Sequence, residues 1–509
     1  MVFRVLIFVH RWLGVALCVL FLLWFPSGIV MMYWDYPSVT PADRIERATA
    51  LRVGDIKVSL SDALATSGMT QPRQVRLSTF DRRPVYRFSS GRDEAIVYAD
   101  TGELHELVTR AMADRIAAAW TSRSVSRPEV DTLNDVDQWT LQQRAAMPLW
   151  KYAWDDGQEL YISQASGEVV QHTTRSSRFW AYLGAIPHWF YFTPLRKHGP
   201  QWSSVVIWSS GIATVSALIG IVIGLWMYSP AKRYRYAGKP TSIPYRGQKR
   251  WHTVFGLIFG LGAATWAFSG MLSMDPFPTR SGGPAGGRVA PVGDIQQALR
   301  GRLQLAAFGS KEPRQALEEL RDAPVKEIEL VTVGRSPFYL ATLSPGDTRV
   351  VPIDGAPAPQ FDPDWLMNGV SAVAGANHIA DMRVIDTYDR YYLDRRRERP
   401  LPVVLARFDD TARTRIYIDP KTARIVAGYD AGDWMNRWLY HGLHSLDFPW
   451  LYEYRPLWDV VVIAFMVGGT ALCVTSLILA WRVVGRRLSR LAGNRSPVAD
   501  PDDLVPQAP

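Results

Sequence analysis

"HRWLGVALCVLFLLWFPSG" (residues 10–28) and "HTVFGLIFGLGAATWAFSG" (residues 252–270) decide the fold of this 509-residue chain. An offset of 242 matches His10 with His252, Gly14 with Gly256, Trp24 with Trp266, and Ser27-Gly28 with Ser269-Gly270. Each stretch leads into an apolar block. Residues 12–34, 203–228, 253–274 and 460–481 contain no Asp, Glu, Lys or Arg. Blocks of more than about 20 residues are long enough to cross a hydrocarbon layer of about 30 Å, so the chain is expected to form four transmembrane helices. The first block is too long for a signal-peptide core and runs into Met31-Met32-Tyr33-Trp34 without a small-residue cleavage site.

The matching continues outside the spans. An offset of 256 pairs Tyr161-Ile162 with Tyr417-Ile418, His188 with His444, Pro200 with Pro456 and Trp202 with Trp458. An offset of 253 pairs the stretch from Val75 to Tyr86 with that from Ile328 to Tyr339. Each half therefore reads as span, hydrophilic domain, histidine-bearing segment, span. Duplicated halves imply a pseudo-two-fold axis, and sites in membrane proteins tend to fall on such repeat interfaces. The expected fold is an α+β integral membrane protein with a four-helix transmembrane bundle. In sequence order it comprises helix 1–34, domain 35–202, helix 203–228, loop 229–250, helix 251–274, domain 275–457, helix 458–482 and tail 483–509.

Orientation follows from Lys and Arg in the short flanks rather than from the overall charge of +9. The loop 229–250 carries Lys232, Arg233, Arg235, Lys239, Arg246, Lys249 and Arg250 and no acidic residue. Arg4 and Arg11 precede the first span, and Arg482, Arg486, Arg487, Arg490 and Arg495 follow the last. These segments are expected to be cytoplasmic, with both hydrophilic domains, 35–202 and 275–457, on the outer side. The basic excess then reflects topology, and nucleic acid is not an expected partner. The only cysteines, Cys18 and Cys473, fall inside spans, so the exported domains contain no disulfides.

Within the first domain, residues 56–70 read as a helix, followed by strands at Gln74–Thr79, Val85–Ser89 and Ala95–Tyr98 and a turn at 99–102. The second domain is expected to repeat this with a helix near 294–306 and strands around 326–333 and 337–343. A further strand pair with a tight turn recurs at Glu159–Val170 and Arg415–Val426. Ser281–Val292 reads as a Gly/Pro-rich linker, and Ala492–Pro509 as a disordered tail. The stretch 386–403 mixes Tyr388, Tyr391 and Tyr392 with Arg390, Arg395, Arg396, Arg397 and Arg399. It reads as a salt-bridged surface strand, with the alternative that it holds a chelate.

Two pairs of matched histidines near a pseudo-dyad are what two bis-histidine haems require, since neutral imidazole is an ordinary axial ligand of haem iron. His10 and His252 are expected to hold one iron near the cytoplasmic face, with Arg11, Lys249 and Arg250 as candidate partners for propionates. The alternatives are an interfacial histidine and an ordinary positive-inside cluster. His188 and His444 lie in the aromatic segments "FWAYLGAIPHWFYF" (179–192) and "WMNRWLYHGLHSLDFPW" (434–450) and are expected to hold the second iron. An interfacial aromatic belt would explain the Trp and Tyr residues but not the matched histidines. His441, one turn before His444, is a possible replacement ligand; His198, His105, His172 and His378 read as structural or solvated. Gly211, Gly220, Gly224, Gly256, Gly260, Gly262, Gly468 and Gly469 read mainly as close helix-packing positions. No H-E-x-x-H, G-x-S-x-G, P-loop, C-x-x-C-H or dinucleotide fingerprint occurs.

The stretch "PVYRFSSGRDEAIVYADTGELHEL" (84–107) resembles the second half of a PepSY domain. "HRWLG" (10–14), "RWLYHGLHSLDFPW" (437–450) and "RPLWDVVV" (455–462) resemble the PepSY-associated transmembrane family. That resemblance implies two PepSY-like extracytoplasmic domains and, by analogy with the family's ferric-siderophore (ferrioxamine-type) reductases, two haem b groups. It further implies a ferric siderophore or other ferric chelate as substrate and an electron donor in the cytoplasm or membrane. The rival expectation is a non-enzymatic, membrane-anchored PepSY binding module without haem. A siderophore permease is disfavoured by the lack of a broken helix or a charged midplane residue.

Overall fold

In the computed structural model, the described residues are 1–91, 93–121, 126–277, 295–297, 299–374 and 379–491. The expected linker 281–292, the tail 492–509 and His378 lie outside them.

Among the described residues, four helices are long and apolar enough to cross a membrane: Val2–Met31, Gly199–Met227, Gly247–Leu272 and Leu457–Leu491. All four extend beyond their uncharged blocks. In the first, third and fourth, basic residues continue the helix, because long Lys and Arg side chains can reach the interface from a helix end. Helix approach is closest at glycine. A Cβ at Gly469 would come within 2.5 Å of Phe25, and one at Gly262 within 3.0 Å of Phe465.

The strands in chain order are β1 Gln74–Phe80, β2 Arg83–Ser90, β3 Asp93–Tyr98, β4 Glu129–Leu133, β5 Leu149–Ala153, β6 Glu159–Ser163 and β7 Val169–Thr173. A small hairpin, β8 Tyr234–Tyr236 with β9 Lys239–Thr241, forms in the basic loop. The second half contributes β10 Glu327–Val333, β11 Ser336–Ser344, β12 Asp347–Pro352, β13 Ile379–Ile385, β14 Val403–Phe408, β15 Arg415–Asp419 and β16 Arg424–Tyr429.

Strands from both halves form one six-stranded sheet in the order β12-β11-β10-β1-β2-β3. At its centre Val75 pairs with Leu330, Arg76 with Glu329 and Leu77 with Ile328. Residues related by the offset of 253 thus exchange places across the β1–β10 seam. One face buries Val75, Leu77, Tyr86, Ile328, Leu330 and Tyr339 in a continuous core. Short helices cover this face. Leu60–Ser67 is capped by Ser59, and Pro313–Glu318 by a Glu312–Gln315 capping box with proline in its first turn.

The first helix is shorter than the expected 56–70, since Ser59 caps its start and Gly68, at a φ of +68°, ends it. In the second half the expected helix near 294–306 is also corrected. Residues 295–297 and 299 are helical, but 301–304 are not, and Leu305–Phe308 is a 3₁₀ turn. The core-covering helix is Pro313–Glu318, where the offset of 253 places the counterpart of Leu60. Ile295 and Leu299 pack instead into a separate core with β14 and β15.

The strand pairs expected at 159–170 and 415–426 are halves of two four-stranded sheets, β4-β5-β6-β7 and β13-β14-β15-β16. The stretch 386–403 is not a strand, apart from Val403, where β14 begins. Asp394 accepts from the backbone N–H groups of Arg396 at 3.2 Å and Arg399 at 2.7 Å, and Asp389 from those of Tyr391 and Tyr392 at 2.8 Å each. Carboxylates that collect local N–H groups fold the segment into turns, because those donors cannot also serve a strand ladder. Tyr392 stacks on Tyr417 at 4.7 Å, and Arg395 and Arg396 pair with Asp35. The three tyrosines, with Arg395, Arg396 and Arg399, are therefore occupied in ring contacts and ion pairs.

Candidate cofactor sites: two facing histidine pairs

The bundle carries two histidine pairs, one at the end next to the hydrophilic domains and one at the end next to the loop 228–246. The domain-side pair is presented by short helices that break before the next span. After Gly184 the chain forms Ala185–Trp189 and stops at Phe190, whose φ is +53°. In the second half a π-helical stretch, Met435–Gly442, leads into Leu443–Ser445 and stops at Leu446, whose φ is +52°. Phe190 and Leu446 are 256 residues apart. So are the tryptophans that fasten these turns: Trp202 Nε1 donates to Trp189 O at 2.7 Å, and Trp458 Nε1 to Ser445 O at 3.0 Å.

His188 and His444 face each other with ring centres 6.0 Å apart. Ser27 Oγ lies 3.1 Å from His188 Nδ1, and Ser269 Oγ 3.0 Å from His444 Nδ1. Each serine hydroxyl donates to the carbonyl three residues back, Ser27 to Trp24 at 3.0 Å and Ser269 to Trp266 at 3.1 Å. With its proton committed, each serine oxygen accepts from Nδ1–H. The protonated tautomer is thereby fixed and the lone pair stays on Nε2. Burial pushes His188 down to about 4. Burial, together with the neighbouring His188 and His441, pushes His444 down to about 3. Both rings are neutral near pH 7 and able to act as ligands.

The loop-side pair lies within the long helices. His10 Nδ1 donates to Ser216 O at 3.0 Å. His252 Nδ1 is 3.3 Å from both Thr475 Oγ1 and Ser476 Oγ, and those hydroxyls donate to Leu472 O at 2.7 and 2.9 Å. Again Nδ1–H is consumed and Nε2 is left. The ring centres are 6.2 Å apart. Gly220 makes room for the His10 ring, because a Cβ there would come within 2.6 Å of Cε1.

These separations can be tested against a metal between the rings. Two metal–imidazole bonds of about 2.0 Å, plus about 1.1 Å from each nitrogen to its ring centre, give about 6 Å. Both pairs fit an iron on histidine spacing. The enclosures differ. The loop-side cavity has a volume of about 610 Å³ and is lined by Gly14, Gly256, Gly220, Cys18 and Cys473, with Arg11, Lys249, Arg486 and Arg487 also on its wall. That lies within the 300–1,000 Å³ of small-molecule sites. The domain-side cavity, about 90 Å³, is filled by Trp24, Trp266, Phe190, Tyr440 and Met466, and these side chains must move aside to admit a macrocycle.

All four expected ligand residues are thus brought together in the expected pairs. His441 is exposed and does not line the domain-side cavity. His198 stands at the N-terminus of the second long helix; His105 bonds Tyr98, and His172 bonds Gln158. Arg11 and Lys249 line the loop-side cavity. Arg250 instead donates to Thr241 at 2.9 Å, and Arg486 and Arg487 take a place on the wall. Sequence reading did not identify Ser27, Ser269, Thr475 and Ser476 as histidine partners, although Ser27 and Ser269 stood in its matched pairs. Among the described residues, no group of three or more His, Cys, Asp or Glu side chains is arranged to hold a bare metal ion.

A family model described as the PepSY-associated TM region matches residues 8–315, more than half of the chain. The chain belongs to this PepSY-associated transmembrane family. The match covers His10, His188 and His252 and ends before His444 and the fourth long helix. No curated protein matches the chain. Membership of a PepSY-associated family and four long apolar helices make this a multi-pass membrane protein.

Proposed function

We propose that this PepSY-associated membrane protein is a di-haem b electron carrier of the bacterial inner membrane that reduces ferric chelates, siderophores among them, on the periplasmic side. The observation that carries the reading is the pair of facing histidines at each end of the bundle, every Nδ1 already committed and every Nε2 left for iron. The β1–β10 register, in which positions 253 apart exchange, supports duplicated halves about a pseudo-two-fold axis, with PepSY-like domains sharing one sheet. The basic loop and termini support a cytoplasmic location for the loop-side pair.

When bound, haem would supply one-electron transfer between ferric and ferrous iron. His10 with His252 would hold the cytoplasmic group, with Arg11, Lys249, Arg486 and Arg487 on the wall of the same cavity facing its carboxylates. His188 with His444 would hold the periplasmic one. Ser27 and Ser269 orient their imidazoles and raise their basicity through the Nδ1–H bond. Trp24, Trp202 and Trp266 keep water from the site. A one-electron reductant on the cytoplasmic side supplies each electron, and one ferric ion becomes ferrous per electron delivered. Ferrous iron is held less tightly by hard oxygen donors and leaves the chelate.

The test uses the purified full chain in proteoliposomes containing a trapped reductant, with ferric ferrioxamine and a ferrous-specific dye outside. Colour development that requires both His188 and His444 is expected. Colour development unchanged in both alanine variants would overturn the reading.

A further inference from the structure

The two cavities are separated by a single layer of side chains. Phe21, Phe25 and Ala263 line both of them. The Phe21 and Phe25 rings are 6.2 Å apart and nearly parallel, with 14° between their planes. Phe21 meets Trp24 edge-on at 5.9 Å, and Phe25 meets Trp266 at 5.8 Å, both tryptophans lying on the domain-side wall.

This layer breaks the symmetry of the halves. The offset of 242 that matches His10 with His252 and Trp24 with Trp266 sets Phe21 opposite Ala263 and Phe25 opposite Ala267. Phe25, Ala263 and Ala267 are each only 4% exposed. Two aromatic residues from one half therefore fill space that two alanines of the other leave. The fourth helix is cut to fit, since a Cβ at Gly469 would come within 2.5 Å of the Phe25 ring. Steric need alone would be met by aliphatic residues shared evenly between the helices. Instead, flat rings stand in the one layer that touches both histidine sites.

We propose that Phe21 and Phe25 are the partition that both isolates and electronically couples the two histidine sites. This rests on the electron-carrier reading above. One electron leaves a reduced loop-side centre and arrives at an oxidised domain-side centre across this layer; no bond forms or breaks, and no proton is exchanged at either ring. Dense packing is what matters. Voids remove atoms from the path, whereas a packed interior supplies contacts throughout.

The experiment uses the full chain with its haems, reduced and then mixed with ferricyanide, which cannot cross the membrane, in sealed proteoliposomes with the hydrophilic domains outward. Absorbance of both centres is followed, together with haem content and low-spin spectrum. In the unaltered protein both centres should oxidise in one phase. Phe21→Ala and Phe25→Ala should retain both low-spin centres but lose the single phase, half the amplitude lagging. Phe21→Leu and Phe25→Leu, which keep more of the volume, should lag less. Phe21→Ala combined with Ala263→Phe refills the layer from the opposite helix and should recover the single phase. If the alanine and leucine variants hold both centres and still oxidise in one phase at the unaltered rate, the partition has no coupling role. An unaltered protein without haem would overturn the electron-carrier reading and this inference together.

Discussion

The two histidine pairs share a ligand geometry and differ in almost everything around it. Ring centres are 6.2 Å apart at the loop side and 6.0 Å at the domain side, and every Nδ1 has an oxygen partner. The loop-side rings stand on continuous long helices beside Gly14 and Gly256, one turn along from each histidine, where an added Cβ would meet nothing closer than 3.9 Å. Glycines on two helices leave that cavity open beside the rings. The domain-side rings come from broken helical turns fastened by Trp202 and Trp458, and large aromatic side chains crowd the narrower cavity beside them. Ligand spacing is therefore a property of the backbone, whereas cavity volume depends on which side chains are free to relax.

The largest expected effect separates the pairs outright. His10→Ala or His252→Ala should remove one low-spin haem signal and leave the other, while His188→Ala or His444→Ala should remove the complementary signal. His441→Ala and His198→Ala should remove neither. Loss of both signals from any one substitution would show that the sites are not independent, and optical and electron-paramagnetic spectra decide the matter.

Next in size is the effect of filling the open cavity. Gly14→Leu or Gly256→Leu puts a side chain in the space beside the loop-side rings and should lower haem content to one per chain, the domain-side signal surviving. Gly28→Leu is a different case, since its Cβ would meet Met466 at 3.1 Å and His188 at 3.6 Å, so it should disturb the domain-side signal.

A smaller effect concerns the hydroxyl partners. Ser269→Ala removes the oxygen that accepts from His444 and should weaken domain-side haem affinity about 10–100-fold, the usual range for such supporting bonds. Thr475→Ala should cost less at the loop side, because Ser476 remains at 3.3 Å from His252. Haem transfer to apomyoglobin measures both.

The smallest effect is a pH dependence confined to the domain side, where offset 256 sets Asp447 opposite Tyr191. Burial holds the Asp447 carboxyl up near 6, with Arg437 and Arg395 pulling the other way. A carboxyl raised in the folded state gives stability that is complete below about pH 4 and is lost as pH rises through the folded value. Asp447→Asn should therefore melt above the unaltered protein at pH 7 and level with it below about pH 4, as followed by thermal denaturation in detergent.

The four long helices were legible because charge-free blocks have one physical solution in a membrane. The histidine pairs were legible because equal offsets repeated them in like surroundings. The shared six-stranded sheet was not. β1 and β10 each read as a half-buried strand, and nothing in either local pattern names a partner some 250 residues away. The stretch 386–403 departs from the expected surface strand because Asp389 and Asp394 collect the backbone N–H groups that a ladder would need. Ser27 and Ser269 were visible as matched residues, but their role appears only when His188 and His444 arrive from more than 160 residues away. The Phe21/Ala263 and Phe25/Ala267 mismatches were hidden by the same alignment that revealed the histidines, since differences between repeats read as drift until packing shows them to be complementary.

The central claim is that both histidine pairs hold haem, despite the difference between an open and a filled cavity. Haem content per chain tests it most directly, by the pyridine haemochrome spectrum of the detergent-purified, full-length protein against its amino-acid analysis. Two non-covalent b-type haems per chain is the expected result. A content of one would confine haem to one end of the bundle, and a content below one would contradict the account as a whole.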